Sequence, residues 1–551
     1  MGKHNGIVSG LAAFFGLTVV VGVLALMKTE GRLVYTLDDA YIHMSIARNI
    51  VEHRVWGLTQ HEIASASSSV LWSLLLALGF VVSGINVWVP LALGLAFGTA
   101  LIIYLARALG DAGVAPGRCR VLFPLIIVLG YVVPNVFSGM EHTAQSLVDV
   151  AFVLAGVNVL AGGRPSFRGA WPLIVLAPFL TSVRYEGFFI LAVVCVLLTF
   201  RGGLRPAVLV CAMGVLPVAI FGLIMMHKGF RFFPYSVLLK AKTEIPFTAG
   251  FLNMLGPRLL IMSLGAPQLV TLLIGLGITL RHLIRHGAAF WSRAVLLHVI
   301  TISVILLHLE FASTWALFRY DAYLVIMALF TLAVTAGPLL RPGLEIVPER
   351  RKLAWVVLSV PVARGFICLL LTPLAAGNIY QQQVQMARFL QRYYPEQPVA
   401  LNDIGAVSFF SDASIVDLFG LGSKEVAEAK INKRYTTEVI DRVTREKDVT
   451  LAMVYKGWFK KYGGLPPEWV ELGGWRIPWN VTCFNSTVNI YAVAPNEQEH
   501  IMRQLEEFST GLPRGVRFLC QQGARKASAP PAPPLDRTPK TALGAVVTKR
   551  R

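Results

Sequence analysis

An apolar run, IVSGLAAFFGLTVVVGVLALM at residues 7–27, leads directly into KTEGRLVYTLDDAYI at residues 28–42. The run is long enough to cross the hydrocarbon core of a bilayer. Because many further apolar runs follow it, it predicts a membrane anchor rather than a cleaved signal. Asp38 and Asp39 come just after it, and carboxylates so near lipid are costly unless they have a function. This stretch therefore predicts a membrane protein and the position of its functional site.

Composition extends the membrane prediction to most of the chain. Of its 551 residues, 55% are apolar and 15% charged, and the mean hydropathy is +0.62. Apolar runs recur up to residue 371, some of them short, and we expect about 11–13 crossings. The net charge of +19 does not indicate nucleic-acid binding, because the basic residues gather in short loops, as the positive-inside rule describes. We predict a multi-pass protein of the cytoplasmic membrane with no nucleic-acid partner.

The chain divides into three predicted parts. Residues 1–376 form an α-helical transmembrane module whose first external loop, 29–66, carries the acidic groups. Residues 377–520 form a smaller α/β domain, and residues 521–551 form a disordered basic tail rich in proline and alanine. With the basic loops in the cytoplasm, the acidic loop and the α/β domain are both extracytoplasmic.

The predicted α/β domain begins with an amphipathic helix and then alternates strands with charged helices. Strands are expected at 398–403, 414–419 and 449–455, with a turn at 404–406 and helices within 424–447. This order favours a sheet with some parallel pairing. Cys483 and Cys520 could form a disulfide in this compartment or remain free thiols, and the sequence leaves both open.

The acidic loop admits a structural and a functional interpretation. Residues 40–53 have helical periodicity, so Asp39 and His43 lie one turn apart on one face. Asp38 or Asp39 would cap this helix in the plain interpretation. Alternatively, one carboxylate caps while the other faces a polar cavity as a base. Asp39 with His43, or an aspartate with Glu62, could also hold a divalent cation such as Mg²⁺ or Mn²⁺.

Further polar clusters are predicted on the same membrane face. Each has a plain explanation: a helix start, an internal ion pair, headgroup anchoring or a snorkelling arginine. The serines after Glu62 predict a helix cap at Ser65 or Ser67. Acids, cations and aromatic rings on one face nevertheless favour a binding site, with phosphate as one candidate ligand. The clusters are Glu141 with His142, Arg184 with Glu186, His227 with Tyr235 and Lys240, and Arg319 beside Tyr320.

These motifs resemble the GT-C superfamily of membrane glycosyltransferases. The nearest resemblance is to the bacterial branch that includes the arabinofuranosyltransferases and relatives of the protein O-mannosyltransferases. The motifs are Leu37-Asp38-Asp39-Ala-Tyr-Ile, Glu62 with the following serines, Ser138-Gly-Met-Glu141, Arg184-Tyr-Glu186, Pro234-Tyr-Ser236 with Lys240, Phe318-Arg319-Tyr320, and Asn402-Asp-Ile-Gly405.

The resemblance implies a GT-C-like fold and an inverting transferase. It would move a sugar from a polyprenyl-phosphate carrier to a hydroxyl of a glycan, lipid or protein at the outer membrane face. It further implies that Asp39 or Asp38 is the general base and that Glu62 lies near the donor phosphate. Inverting transfer also needs cations at the departing phosphate. The candidates for this role are Arg184, Lys240, Arg319 and His227, and those for the remaining substrate contacts are Glu141, His142, Glu186 and Tyr235.

A transporter or flippase of a lipid-linked sugar is the alternative function. Proteins of that class commonly have two related halves and broken spans that meet at the membrane midplane. The sequence has no convincing internal repeat, and its acidic groups lie at the ends of the apolar runs. No phosphate-binding loop or dinucleotide fingerprint follows a predicted strand, which agrees with a lipid-linked donor. The enzyme is therefore the favoured prediction.

Overall fold

The computed structural model describes residues 2–239, 263–314, 319–336 and 348–521. Lys240, a predicted phosphate ligand, and all but the first residue of the predicted tail lie outside the described residues. The longer helices, in chain order, are Gly2–Lys28, Asp39–His53, Val70–Ser83, Trp88–Asp111, Pro116–Leu129, His142–Ala161, Trp171–Val183, Gly187–Phe200, Leu204–His227, Pro267–Arg285, Arg293–Phe311, Ala322–Ala336, Pro348–Gln381 and Gln383–Tyr393. Two short helices, Val132–Phe137 and Tyr235–Leu238, lie between them.

Seven helices among the described residues are long and apolar enough to cross a membrane. Four shorter apolar helices accompany them. The predicted α-helical, multi-pass fold class is confirmed, whereas the exact number of crossings stays a prediction. The long spans are Gly6–Lys28, Trp88–Asp111, His142–Ala161, Leu204–His227, Pro267–Arg285, Arg293–Phe311 and Val357–Tyr393.

The helix Asp39–His53 does not belong to these spans. Its buried face packs against the helix Val70–Ser83 and against a short helix of the C-terminal part, Gly405–Phe410. The next helix is capped by Ser69, whose hydroxyl accepts from the Trp72 N–H at 3.2 Å. The prediction of a cap at Ser65 or Ser67 was therefore wrong. The Ser67 hydroxyl instead contacts the His43 ring, which removes it from the capping position.

After residue 397 the chain forms a six-stranded sheet flanked by helices. The strands are β1 (Pro398–Leu401), β2 (Ser414–Asp417), β3 (Leu451–Val454), β4 (Val470–Arg476), β5 (Thr487–Ala492) and β6 (Arg517–Cys520), in the order β2-β1-β3-β5-β4-β6. β1 pairs in parallel with β2 and β3, and the other pairs are antiparallel. The flanking helices are Gly405–Phe410, Lys424–Ile431, Thr437–Glu446 and Gln498–Ser509. The predicted α/β domain with some parallel pairing is thus confirmed.

Two local expectations for this domain turn out differently. The predicted turn at 404–406 is the beginning of the helix Gly405–Phe410, because Gly405 and Ala406 direct their N–H groups to Asp38. Cys483 and Cys520 are both free. Cys483 is buried beside the Gln383 side chain, with its Sγ 3.5 Å from Gln383 Oε1. Of the two possibilities that the sequence left open, the structure therefore has the unpaired thiols.

The C-terminal domain docks directly on the transmembrane module. Its contacts include apolar packing, short hydrogen bonds and a bidentate ion pair, so the orientation of the sheet relative to the acidic loop is defined. The cross-contacts are Gly405 and Ala406 to Asp38, Thr482 Oγ1 to the Thr36 carbonyl, and Arg231 with Tyr235 to Glu428.

Candidate active site

Asp39 forms an ion pair with a buried arginine. Its Oδ2 accepts from an Arg319 terminal nitrogen at 2.7 Å, and the carboxylate side chain is 25% exposed whereas Arg319 is 5% exposed. Arg319 also donates to the Tyr320 hydroxyl at 2.8 Å and lies 2.9 Å from the Met140 sulfur. Its buried Nε has no hydrogen-bond partner among the described residues. Asp39 therefore meets solvent on one side and a positive charge on the other.

A second arginine also contacts the Tyr320 ring. Arg184 and Arg319 have their guanidinium carbons 5.2 Å and 4.7 Å from the ring centroid. Arg184 donates one hydrogen bond to Glu141 at 2.7 Å and two to Glu186, at 2.6 Å and 3.0 Å. Two carboxylates thus more than balance the charge of Arg184. Arg319, paired here with Asp39, is the cation less neutralised by its neighbours.

Glu141 is fully buried at the start of the helix His142–Ala161. Burial alone would raise the pKa of its carboxyl, but the charges of Arg184, His43 and His142 lower it to about 2. Glu141 does occupy the N-cap position of this helix, as its plain interpretation expects, but its side chain makes no cap hydrogen bond and pairs with Arg184 instead. His142, one residue on, stands edge-on to the Tyr320 ring at 6.3 Å, so both predicted residues adjoin the arginine pair.

Asp38 has a different environment from Asp39. Its side chain is buried and does not cap its own helix. Its two oxygens instead accept from the N–H groups of Gly405 at 2.5 Å and Ala406 at 2.7 Å. Burial raises the pKa of the Asp38 carboxyl, the neighbouring Asp403 raises it further, and the two N–H groups act in the opposite direction. Asp38 is thus an interdomain contact.

Asp403 is part of a network that the site prediction missed. Its Oδ2 accepts from Gln383 Nε2 at 2.7 Å, and the same amide donates to the Tyr455 hydroxyl at 2.9 Å. Burial raises the pKa of the Asp403 carboxyl. The segment Asn402-Asp-Ile-Gly405 had entered the prediction only as part of the family resemblance. Its position at the end of the predicted strand 398–403, leading into a predicted turn, was the available signal, since residues at such strand-to-loop junctions frequently bind ligands.

The predicted metal ligands Asp39, His43 and Glu62 are not brought together. The His43 ring is held by Ser67, Ser68 and Ser73 hydroxyls at 3.0–3.3 Å. Glu62 is 68% exposed, with Oε1 4.0 Å from the Lys447 ammonium. Among the described residues, no group of three or more His, Cys, Asp or Glu side chains could hold a metal ion. The described residues thus offer no three-ligand set, and the divalent cation and the role of Glu62 stay predictions.

The remaining predicted phosphate ligands lie elsewhere. His227 ends its helix on an exposed surface. Tyr235 is buried and donates to Glu428 of the C-terminal domain at 3.0 Å, next to the Arg231–Glu428 pair. The segment around Tyr235 thus forms a docking contact. Of the predicted site residues, the structure brings together Asp39, Glu141, His142, Arg184, Glu186 and Arg319.

Comparisons with known proteins give one family model and several solved structures. A family model described as a domain of unknown function (DUF8728) matches residues 377–491. No curated protein matches the chain. Among solved structures, ArnT from Cupriavidus metallidurans bound to undecaprenyl phosphate is 13% identical with a TM-score of 0.49, covering 88% of this chain and 98% of that one.

Two other solved structures are similar at lower scores. The oligosaccharyltransferase from Archaeoglobus fulgidus in complex with zinc and sulfate is 11% identical with a TM-score of 0.43, covering 91% of this chain and 74% of that one. The mycobacterial arabinofuranosyltransferase AftD is 12% identical with a TM-score of 0.41, covering 87% and 41%. All three are GT-C superfamily members, the superfamily that the motifs resemble. Because every TM-score is below 0.5, the function proposed for this chain rests on its own residues.

Proposed function

We propose that this protein is an inverting glycosyltransferase that takes a sugar from a polyprenyl-phosphate carrier at the outer face of the cytoplasmic membrane. The observation that carries the proposal is the pair of Asp39 and Arg319. A partly exposed carboxylate beside a buried guanidinium combines a proton acceptor with a cation able to neutralise a phosphate. The buried Nε of Arg319, without a hydrogen-bond partner among the described residues, leaves one donor for an anion.

The reaction assigned to these groups is a single displacement. The Asp39 carboxylate takes the proton of an acceptor hydroxyl as its oxygen bonds to the anomeric carbon. The bond from that carbon to the phosphate oxygen breaks, and the electron pair leaves with the polyprenyl phosphate. Attack from the opposite face inverts the anomeric configuration. Arg319 stabilises the negative charge that develops on the phosphate.

Arg184 has a supporting role in this proposal. Because Glu141 and Glu186 already compensate its charge, it is a weaker candidate for binding the phosphate than Arg319. Its guanidinium lies over the Tyr320 ring, and the Tyr320 hydroxyl accepts a hydrogen bond from Arg319. Arg184 therefore holds the ring that positions Arg319. Asp38, buried against the C-terminal domain, is assigned a structural role rather than that of the base.

The decisive experiment uses purified full-length protein in liposomes with a panel of polyprenyl-phosphate sugars and soluble acceptors. Wild-type protein is expected to release lipid phosphate and to glycosylate an acceptor. Asp39→Asn should reduce the rate at least about 100-fold, in the range of general-base catalysis, while the thermal unfolding midpoint changes little. Asp412→Asn is the matched control, because Asp412 is also paired with an arginine but is 68% exposed.

Two results would contradict the proposal. Full activity of Asp39→Asn would remove the assigned base. Transfer of intact donor across the liposome membrane, with no lipid phosphate released, would instead identify a flippase.

A further inference from the structure

The carboxyl ends of the three parallel strands face the transmembrane module. Asp403 follows β1, Phe419 follows β2 and Tyr455 follows β3, so all three lie at one edge of the sheet. At this edge Gly405 donates to Asp38. In open α/β sheets, ligands bind in the crevice beyond the carboxyl ends of the strands. The edge of the sheet expected to bind a ligand is thus the edge that adjoins the candidate active site.

Four aromatic side chains gather at this edge and form what we call the aromatic platform: Phe419, Tyr455, Trp458 and Phe484. Trp458 lies between Phe419 and Phe484, with ring centroids at 4.8 Å and 4.9 Å, and Tyr455 is 5.7 Å from Phe484. Tyr455 is fully buried, whereas Phe484 is 56% exposed. The platform therefore runs from the interior of the domain to its surface.

Polar groups continue the platform toward the acidic loop. The Tyr455 hydroxyl bonds to the Gln382 and Gln383 amides, and Gln383 in turn bonds to Asp403. The Asn402 Nδ2 is buried with no hydrogen-bond partner among the described residues. Aromatic rings adjoining amide and carboxyl groups match a sugar, whose C–H face packs on rings while its hydroxyls take the polar partners.

We propose that the aromatic platform binds a neutral oligosaccharide as the acceptor and leads its terminal hydroxyl toward Asp39. This inference rests on the proposed transferase activity and names its acceptor class. An acyl chain would leave the buried Asn402 Nδ2 without a partner, which is costly for a buried polar group, whereas a sugar hydroxyl can accept from it. Sugar hydroxyls both donate and accept hydrogen bonds, so they satisfy carboxylates and amides alike. Continuity with the interface between the two parts favours this occupant.

The test is direct binding to the full-length protein in detergent micelles. Soluble oligosaccharides prepared from mannan, arabinan and glucan are titrated while tryptophan fluorescence is followed, since Trp458 lies beside Phe484 and reports on the platform. At least one should bind saturably. Phe484→Ala should weaken that binding about tenfold, because it removes the exposed ring on which the C–H face of the sugar packs. Phe484→Tyr should retain it, because the ring stays in place.

A matched control is Trp479→Ala, which removes an even more exposed ring, 76% exposed, from the same loop. The Trp479→Ala variant should bind the oligosaccharide as tightly as wild type does. Asp39→Asn should also bind normally, so that binding and transfer are scored separately. If an oligosaccharide binds but the wild-type protein transfers no sugar, the proposed transferase activity is overturned and the inferred binding site is not. Binding by none of the oligosaccharides, equal binding by Phe484→Ala, or preference for a serine-rich peptide or for lipid vesicles would overturn the inference.

Discussion

Two neighbouring aspartates, Asp38 and Asp39, have opposite environments. Successive residues at a helix start point about 100° apart, so the two side chains leave the helix in different directions. Asp38 turns to the backbone of Gly405 and Ala406, and Asp39 turns to Arg319. The sequence left the choice of base between them open. Their burial and partners now favour Asp39 on physical grounds.

The first residue-scale prediction concerns the shape of Arg319. Arg319→Lys keeps the positive charge but loses the planar fork that contacts Asp39, Tyr320 and Met140 together. We expect transfer to fall at least about tenfold with little change in the unfolding midpoint. Arg392→Lys is the control, since Arg392 pairs with Glu507 on an exposed surface. Unchanged transfer in Arg319→Lys would remove the assigned phosphate role.

The second residue-scale prediction concerns acid stability and Glu141. Its pKa falls on folding from 4.5 to about 2, so its contribution to stability is full above pH 4.5 and is lost as the pH falls toward 2. A shift of this size corresponds to about 3 kcal/mol. Thermal unfolding in detergent should therefore show a steeper loss between pH 5 and about pH 3 for wild type than for Glu141→Gln. Parallel curves for the two proteins would contradict the buried ion pair.

The site residues close to the membrane surface could be predicted from the sequence, because charged groups at span ends are rare and conspicuous. Asp39, Glu141, Arg184 and Arg319 were found in this way. The contact of Asp403 with Asp38 could not be predicted, because it joins residues far apart in the chain and only tertiary packing reveals such pairs. The contact of Glu62 with Lys447 of the C-terminal domain is likewise one between residues remote in the chain.

At the scale of elements, the short helix Gly405–Phe410 connects the sheet to the acidic loop. It packs against Asp39–His53, and its first N–H groups hold Asp38. Local sequence predicted a turn here, because Ile404-Gly405-Ala406 is short and glycine-containing. The helix forms because the Asp38 carboxylate accepts from N–H groups that a helix start leaves without partners. That partner is remote in sequence, so local reasoning could not supply it.

This element supports a prediction about Gly405. A Cβ there would lie 2.0 Å from the Asp38 carbonyl oxygen and 2.8 Å from its carboxylate. Because the clashing atom belongs to the backbone, it can move away only if the backbone is distorted. Gly405→Ala should therefore destabilise the docked domain by about 2–4 kcal/mol and lower transfer. Gly277→Ala is the control, because a Cβ at that helical position meets nothing within 4 Å. A melting temperature equal to wild type for Gly405→Ala, measured by differential scanning fluorimetry, would show that the close approach is relieved.

At the scale of the whole molecule, a shared apolar cluster and several polar contacts hold the C-terminal domain on the helical module, among them two in which a carboxylate of one part accepts from two donors of the other. One is Asp38 with the helix Gly405–Phe410, and the other is Arg231 with Glu428. Hydropathy predicted the two parts correctly because it reports burial in lipid, which is a property of local composition. It could not predict how the parts dock. Docking depends on individual polar pairs that the composition of neither part reveals.

The second docking contact gives the last prediction. Arg231 binds Glu428 through two nitrogens at 2.7 Å and 2.9 Å, and Tyr235 donates to the same carboxylate at 3.0 Å. Glu428→Arg places two cations together and should increase cleavage of the 228–234 segment in limited proteolysis. Combining it with Arg231→Glu restores opposite charges, so protection from cleavage should return. The coupling free energy between the two substitutions should be about 1 kcal/mol, the scale of a partly exposed pair.

A control separates docking from domain stability in this experiment. Arg442 pairs with Glu425 at 2.6 Å wholly inside the C-terminal domain. Glu425→Arg is expected to alter the stability of the domain without exposing the 228–234 segment, because no docking contact is changed. If the double variant remains as sensitive to proteolysis as Glu428→Arg alone, the ion pair does not hold the domain in place. Docking would then depend on Asp38 and its two backbone donors.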